Sequence, residues 1–427
     1  VNQPALLHRC DDLQQWRRRH SDANRPVHVV PTMGAIHAGH LRLVERASGP
    51  GASRPPAVLV TVFVNPLQFA QGEDFHRYPS DLNSDLSAVR DADVDAVFAP
   101  SFEELFPGGD PAITRIRPPD ALCRTLCAPH RPGHFEGVAT VVARLIALIR
   151  PDLMVFGEKD WQQLQVLRRI VADLALPVRL RSCGTVRDVD GLAMSSRNRY
   201  LSQPERERAA GFPRALRASA DGIAQALRSG DRVFLNDQLG NLRAELEAAT
   251  LRVEYLDCVD PFTLASIAQS GAAPLGTPDY PNQPFGTHRQ AIGMVAAAVH
   301  CGGTRLIDHI LLMPRAPIVA IDGPAGAGKS TVTRVLATRL GLLYLDTGAM
   351  YRALTWWVLR QGVDPESEEA VAPLLKRVDL SLTLEAGGNQ RVCLSGHEIT
   401  AAIRSPDVTA AVSQVAAHAC VRETLTA

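Results

Sequence analysis

The feature that most constrains this chain is an octapeptide, Gly323-Pro-Ala-Gly326-Ala-Gly328-Lys329-Ser330, between an apolar run at 318–321 and a helix-patterned stretch at 331–340. It fits G-x-x-x-x-G-K-[ST], and the strand–loop–helix context carries more information than the pattern alone. Glycines let the backbone wrap closely around a ligand. Successive N–H groups and the N-terminus of the following helix then present positive potential to phosphate oxygens. Gly323, Gly326 and Gly328 shape such a loop, Lys329 can reach the β- and γ-phosphates, and Ser330 can offer its hydroxyl to Mg²⁺. The bland alternative is a Gly-rich turn that happens to precede a helix. Strand, loop, Lys, Ser and helix standing in order argue against it.

A chain of 427 residues is too long for one ordinary core, so roughly two to four domains are expected. Upstream of the loop, 27–31 is a β-branched run, followed by Thr-Met-Gly and a helix-like stretch at 39–47. Residues 57–64 repeat the theme before a break at Asn65-Pro66, and 94–99 and 153–156 read as further short strands. Between them, 137–149 has helical spacing and stops at Pro151. Strands alternating with helices predict a parallel, doubly wound α/β domain over 1–183. From 184 to 314 the pattern changes to Arg/Glu/Ala-rich helices, such as 204–228, with strands at 251–258 and 304–312, which predicts a smaller α+β domain. Within it, 268–288 is rich in Pro, Gly and small polar residues and reads as a flexible insertion. Residues 314–317 make a linker, and 315–427 form a third, α/β domain around the phosphate loop.

Charge and cysteine usage narrow the function classes. Lys+Arg and Asp+Glu balance at 45 each, which argues against a general polyanion binder and hence against a nucleic-acid partner. No apolar stretch is long enough to span a bilayer, and the first ten residues lack a signal-peptide pattern. Eight cysteines scattered through a chain this long are unlike a disulfide scaffold, so a reduced cytoplasm is expected. Cys123, Cys127, His130 and His134 look superficially like zinc ligands, but their spacing is tighter than in ordinary zinc fingers.

Pro31-Thr-Met33-Gly34-Ala-Ile-His37-Ala-Gly39-His40 places H-x-G-H at a strand-to-helix turn. Imidazole N–H donors beside a helix N-terminus can stabilise charge developing on phosphate oxygens. Two histidines near a turn are also common as surface or packing residues, so the neighbouring blocks matter. Phe63-Val-Asn65-Pro-Leu-Gln68-Phe69 supplies amides suited to a hydroxy acid. Arg131-Pro-Gly-His134-Phe-Glu-Gly137-Val138, Phe156-Gly157-Glu158-Lys159-Asp160-Trp161-Gln162-Gln163 and Met194-Ser195-Ser196-Arg197-Asn198 follow in order, the last preceded by Val186-Arg187.

These five blocks together resemble the pantothenate synthetases (pantoate–β-alanine ligases), whose first domain is a Rossmann-like nucleotidyltransferase, and the resemblance covers most of 20–265. The resemblance implies ATP-dependent condensation of pantoate with β-alanine through a pantoyl adenylate, releasing pyrophosphate and AMP. It implies that Met33, Gly34, His37, Gly39, His40, Gly157, Glu158, Lys159, Asp160, Val186, Met194, Ser195, Ser196 and Arg197 line the ATP site. His40 is then the proton donor, His37 a phosphate ligand, and Lys159 and Arg197 the transition-state cations. Asn65, Gln68 and Gln163 take pantoate, with Gln68 close to incoming β-alanine, and Asp85 lies near Mg²⁺. The domain from 184, carrying Arg197, would act as a lid, and a homodimer is implied by resemblance alone. H-x-G-H with Met-Ser-Ser-Arg could also belong to an aminoacyl-tRNA synthetase-like protein, but the balanced charge and the lack of an anticodon-binding region argue against that reading.

After the phosphate loop, Tyr344-Leu-Asp346-Thr347-Gly348-Ala-Met-Tyr-Arg352 resembles the nucleoside-monophosphate segment of cytidylate kinases. The resemblance continues more loosely through Ile403-Arg404-Ser405 and 412–417, and implies that Thr347 and Arg352 contact CMP or dCMP. The family's Arg-rich lid and later Gly-Arg-Asp segment are not found before Ala427, so this partial P-loop kinase domain is expected to transfer phosphate poorly.

Overall fold

The computed structural model describes residues 3–49, 55–70, 72–110, 112–270, 291–313, 319, 321, 328–340, 344–375, 378–384 and 390–426. The chain divides into two compact units, Val1–Pro314 and Arg315–Ala427.

The first unit is built on a six-stranded sheet of β1 (Ala5–Leu7), β2 (Val27–Thr32), β3 (Ala57–Val62), β4 (Ala96–Phe98), β5 (Leu153–Gly157) and β6 (Arg179–Cys183), in the order β1-β4-β3-β2-β5-β6. Every pairing is parallel. The central strands β3 and β5 are buried on both faces, which is why they read as largely apolar runs. Val29 and Leu59 pack on one side with Leu13, Val138, Leu145 and Leu164 from three helices. Val30, Val58 and Val60 pack on the other with Leu43, Val44 and Val89. From β2 the order runs to β3 and β4 on one side and to β5 and β6 on the other. The topological switch point therefore lies between β2 and β5, where a crevice opens beyond the strands' carboxyl ends.

The remainder of this unit carries helices Gln203–Ala209, Gly211–Ser229 and Arg232–Ala248 and an antiparallel sheet of β7 (Arg252–Val259), β8 (Gly293–Cys301) and β9 (Thr304–Leu312). The single helix expected at 204–228 is instead two, broken at Ala210. Gly211 and Pro213 fall in the first turn of the second helix, where a missing amide hydrogen is tolerated. The middle strand β8 escaped sequence reading because its Ala296-Ala-Ala298 core lacks β-branched side chains. Burial, not propensity, makes it a strand. Of the expected insertion, residues as far as Ser270 are described, ending in the short helix Ile267–Ser270, and the rest lies outside the described residues.

In the second unit, helices Lys329–Leu340, Gly348–Arg360, Glu368–Leu375, Pro406–Ala417 and Ala419–Thr426 accompany an antiparallel sheet of β10 (Leu380–Leu384), β11 (Gln390–Leu394) and β12 (His397–Glu398). Of the expected strand at 318–321 only Val319 and Ile321 are described. Gly323, Gly326 and the expected linker at 314–317 lie outside the described residues. Among the described residues, no helix is long and apolar enough to cross a membrane.

Candidate active site

The turn after β2 opens the helix Ala38–Ser48, and His37 caps it. His37 Nδ1 accepts the Gly39 N–H at 3.1 Å, and His40 Nδ1 accepts the His37 N–H at 3.3 Å. A backbone N–H can only donate, so both Nδ1 atoms are unprotonated and each ring carries its proton on Nε2. The ring centroids are 4.1 Å apart. Burial, then Lys159, pulls His37 down to about 4. Burial, then His37 and Lys159, pulls His40 down to about 3. Both are therefore neutral N–H donors at neutral pH. Gly39 is required beside them, because a Cβ there would lie 2.8 Å from His37 Cε1.

Asp85 holds the loop between β2 and this helix. Its Oδ1 accepts the Ile36 N–H at 2.7 Å and its Oδ2 the Ala35 N–H at 3.2 Å. Both oxygens hold the loop that aims the histidines, which makes Asp85 a loop clamp. Burial raises the carboxyl's pKa despite those bonds. Gly34 turns at φ +84°, and a Cβ there would meet Asp85 Oδ2 at 2.7 Å. Gly34 therefore serves the clamp and does not line the crevice, and Glu158 also lies outside the lining.

Beyond β3, Asn65 orders the pantoate block. Its Oδ1 accepts the Leu67 N–H at 3.0 Å, while Nδ2 donates to Gly137 O at 3.1 Å and to Gln68 Oε1 at 3.0 Å. That leaves Gln68 Nε2 as the outward donor, 2.9 Å from Met33 Sδ. The neighbouring glutamines Gln162 and Gln163 divide their work. Gln162 is buried, bonds Cys127 N, Leu122 O and Thr125 O and borders the cavity at one end, whereas Gln163 lines it throughout.

Lys159 follows β5, with Nζ 3.8 Å from Asp160 Oδ1. Protein atoms surround Asp160 while its carboxylate still meets solvent through the cavity. Burial would raise its pKa, but Lys159, His134, Arg197 and Arg131 outweigh that and hold it low. Val186 and Met194 are brought together by a 2.9 Å bond from Met194 N–H to Val186 O. Ser195 Oγ then accepts the Arg197 N–H at 3.3 Å, and Ser196 Oγ lies 3.0 Å from Tyr78 Oη.

Sequence reading did not find the groups that hold the arginines. Arg197 donates to both oxygens of Asp74 at 2.8 and 2.7 Å and lies 5.6 Å over the Tyr78 ring. Arg131 donates to both oxygens of Glu73 at 2.8 and 2.6 Å. Arg131 also donates to His134 Nε2 at 3.0 Å, which leaves His134 Nδ1–H to donate to Gln68 O at 2.8 Å. Burial, then Arg131, pulls His134 down to about 4. The acidic pair Glu73-Asp74 after Gly72 was the available signal, and nothing local says which cations it would meet.

These side chains line two lobes of about 280 and 250 Å³ that share Arg131, His134, Lys159, Asp160, Gln163, Ser195 and Arg197. The second lobe is also lined by Met33, His37, Gly39, His40, Asn65, Gln68, Gly157, Val186, Met194 and Ser196. The first reaches the antiparallel domain at Met294, Arg305 and Asp308. Neutral N–H donors, two outward amides and a Lys–Arg pair around one crevice suit an anionic polyoxygen ligand beside a small hydroxylated acid. Among the described residues, no group of three or more His, Cys, Asp or Glu is placed to hold a metal.

In the second unit, Gly328 turns at φ +76° just before Lys329 and Ser330 begin their helix. Thr347 precedes the next helix, and Gln390 grips the Asp346 backbone from both sides, at 2.8 and 3.2 Å. Arg352 Nη1 lies 3.5 Å from Thr409 Oγ1.

Comparison with known proteins matches residues 5–311 to the pantoate–β-alanine ligase family and 319–427 to the cytidylate kinase family. A bifunctional pantoate ligase/cytidylate kinase of Prochlorococcus marinus (strain MIT 9313) is 50% identical over 97% of this chain and 76% of its own length. One of Parasynechococcus marenigrum (strain WH8102) is 51% identical over 95% and 74%. Among solved structures, a pantothenate synthetase of Thermus thermophilus shares 39% identity over 73% of this chain and all of its own, at a TM-score of 0.59. A pantoate–β-alanine ligase of Francisella tularensis, complexed with β,γ-ATP and β-alanine, shares 26% identity over 72% and 97%, at a TM-score of 0.55.

Proposed function

We propose, for a chain that belongs to the pantoate–β-alanine ligase family and continues into a cytidylate kinase segment, that the crevice between β2 and β5 is the ligase active site. The chain condenses pantoate with β-alanine at the expense of ATP, and its C-terminal segment transfers a phosphoryl group from ATP to CMP or dCMP. The observation that carries the site assignment is the pair of imidazoles held by backbone amides as Nε2–H donors. Pantoate's carboxylate attacks the α-phosphorus of ATP, forming the acyl–phosphate bond and expelling pyrophosphate. His40 and His37 donate to the phosphate oxygens as charge builds, and Lys159 and Arg197 neutralise it. Because the imidazoles are neutral beforehand, they stabilise the transition state through preorganised dipoles. Gln68 and Gln163 orient pantoate's hydroxyls. The β-alanine amine then attacks the activated acyl carbon, and AMP leaves with the electrons of the acyl–oxygen bond. Excluding water protects the adenylate from hydrolysis, which is the role proposed for the antiparallel domain over the first lobe.

Mg²⁺ takes most of its ligands from phosphate and water and needs only one or two protein carboxylates. Asp160, which reaches the cavity, fits that need, and Ser330 is the proposed counterpart in the kinase segment. The ion would supply charge neutralisation on the triphosphate. The proposed setting is the cytoplasm, and the proposed assembly is a homodimer, for which sedimentation of the protein is the test.

The site assignment is tested by following AMP release that requires both pantoate and β-alanine, in the parent protein and in His40→Ala and Lys159→Ala. Both variants should lose turnover. Unchanged turnover in both would remove the crevice from consideration.

A further inference from the structure

β3 reads Ala-Val-Leu-Val-Thr-Val, and Thr61 is its single polar side chain. The residue is 1% exposed. Its carbonyl accepts the Thr32 hydroxyl at 2.7 Å, but its own Oγ1 has no hydrogen-bond partner among the described residues. A buried hydroxyl without a partner destabilises a fold, and valine would fill the same space without that cost. The position is not filled by indifferent packing, because Thr61 lines the same lobe as His40, Asn65 and Gln68. The neighbouring hydroxyl on β2 is already engaged: Thr32 Oγ1 donates to Thr61 O and accepts the Gly34 N–H at 3.1 Å. The remaining side-chain atoms buried without a partner, on Asn198, Asp260, Trp357 and elsewhere, belong to residues that do not line this lobe.

We propose that Thr61 Oγ1 hydrogen-bonds a hydroxyl of pantoate and is a specificity-determining residue for the hydroxy acid. The inference rests on the ligase reading of the crevice. A site that leaves one polar atom unpaired until the correct ligand arrives rejects an analogue lacking the matching hydroxyl far better than an apolar wall can. The free protein carries the cost of the unpaired group, and the complex recovers it.

The test uses Thr61→Val and Thr61→Ser in the full chain, with pantoate-dependent ATP–pyrophosphate exchange and pantothenate formation as readouts. Thr61→Val should raise the KM for pantoate by ~10–100-fold and leave the KM for β-alanine within about twofold. It should also raise the melting temperature of the ligand-free protein, because an unpaired buried hydroxyl has been removed. Thr61→Ser should keep the parent KM for pantoate. With 2-deoxy- and 4-deoxypantoate, the Thr61→Val penalty should vanish for the one analogue whose missing hydroxyl is the partner. An unchanged KM for pantoate, or a penalty that persists with both analogues, overturns the proposal. A lowered melting temperature with an unchanged KM does so as well, by making the hydroxyl an internal structural contact. If the parent protein showed no pantoate-dependent exchange, the ligase reading itself would fail and this inference with it.

Discussion

The two sites proposed for nucleotide phosphates are built in opposite ways. In the C-terminal unit the phosphate-binding groups are neighbours in sequence, ending in Lys329 and Ser330 at the start of one helix. In the ligase unit the corresponding groups come from separate segments: His37 and His40 after β2, Lys159 after β5, and Arg197 beyond β6. A contiguous loop carries its geometry in its own backbone. A dispersed site borrows its geometry from the sheet that spaces the segments and from the ion pairs that aim them. Damage far from the chemistry should therefore matter more in the ligase.

The largest effect should come at the donor pair. His40→Ala removes a neutral Nε2–H proposed to donate to phosphate and should lower kcat for pantothenate formation by ~10²–10³-fold, leaving CMP phosphorylation unchanged. A loss below tenfold in a steady-state AMP-release assay would deny His40 its role. Next is Glu254, whose carboxylate receives Arg305 at 2.7 Å and His300 at 2.8 Å and is held down to about 2, those bonds outweighing burial. Glu254→Gln should cost the ligase unit about 3 kcal/mol, because Arg305 keeps its charge in a largely buried place. Urea unfolding followed alongside ligase activity tests this, and an unmoved midpoint would show the pair to be dispensable. In the contiguous site, Lys329→Ala should lower CDP formation by ~10²-fold while AMP release stays at the parent rate. Any matching fall in ligase activity would contradict the separation of the two sites.

Smaller effects should follow from the aiming groups. Asp74→Asn replaces a two-oxygen grip on Arg197 with a neutral one and should raise the KM for ATP about tenfold. Parity with the parent would mean that Arg197 finds its place without Asp74. The mildest test is acidification. His37, His40 and His134 are lowered by burial to about 4, about 3 and about 4, against about 6.5 in an unfolded chain. Between roughly pH 6.5 and 4 the unfolded state therefore binds more protons, and stability falls as pH falls. The denaturation midpoint should drop between pH 7.5 and 5, with a shallower drop in His134→Gln. A flat profile would mean that these rings are not neutral in the folded protein.

Much of the architecture was legible because it rests on local regularities. The largely apolar runs at β3 and β5 reflect a parallel sheet covered on both faces, and the strand expected at 304–312 matches β9 end to end. Strand β8 was not legible, because three consecutive alanines carry no strand preference and only burial between neighbours explains them. Asp85 shows the same limit within the site. The family resemblance places it near Mg²⁺, and only the fold shows that each of its oxygens also takes a backbone amide.

What the sequence determined by itself is the chemical inventory of the two proposed phosphate sites: which histidines, lysines, arginines and amides are present, and in what order. The contiguous site is nearly complete in that description, because its groups share one stretch of backbone. For the dispersed site, tertiary structure alone decided that Glu73 and Asp74 would hold Arg131 and Arg197, that the imidazoles would present Nε2–H, and that one threonine hydroxyl would be left unpaired. Each of these depends on distances between segments far apart in the chain and on the exclusion of water around them. Neither quantity exists until the sheet has formed.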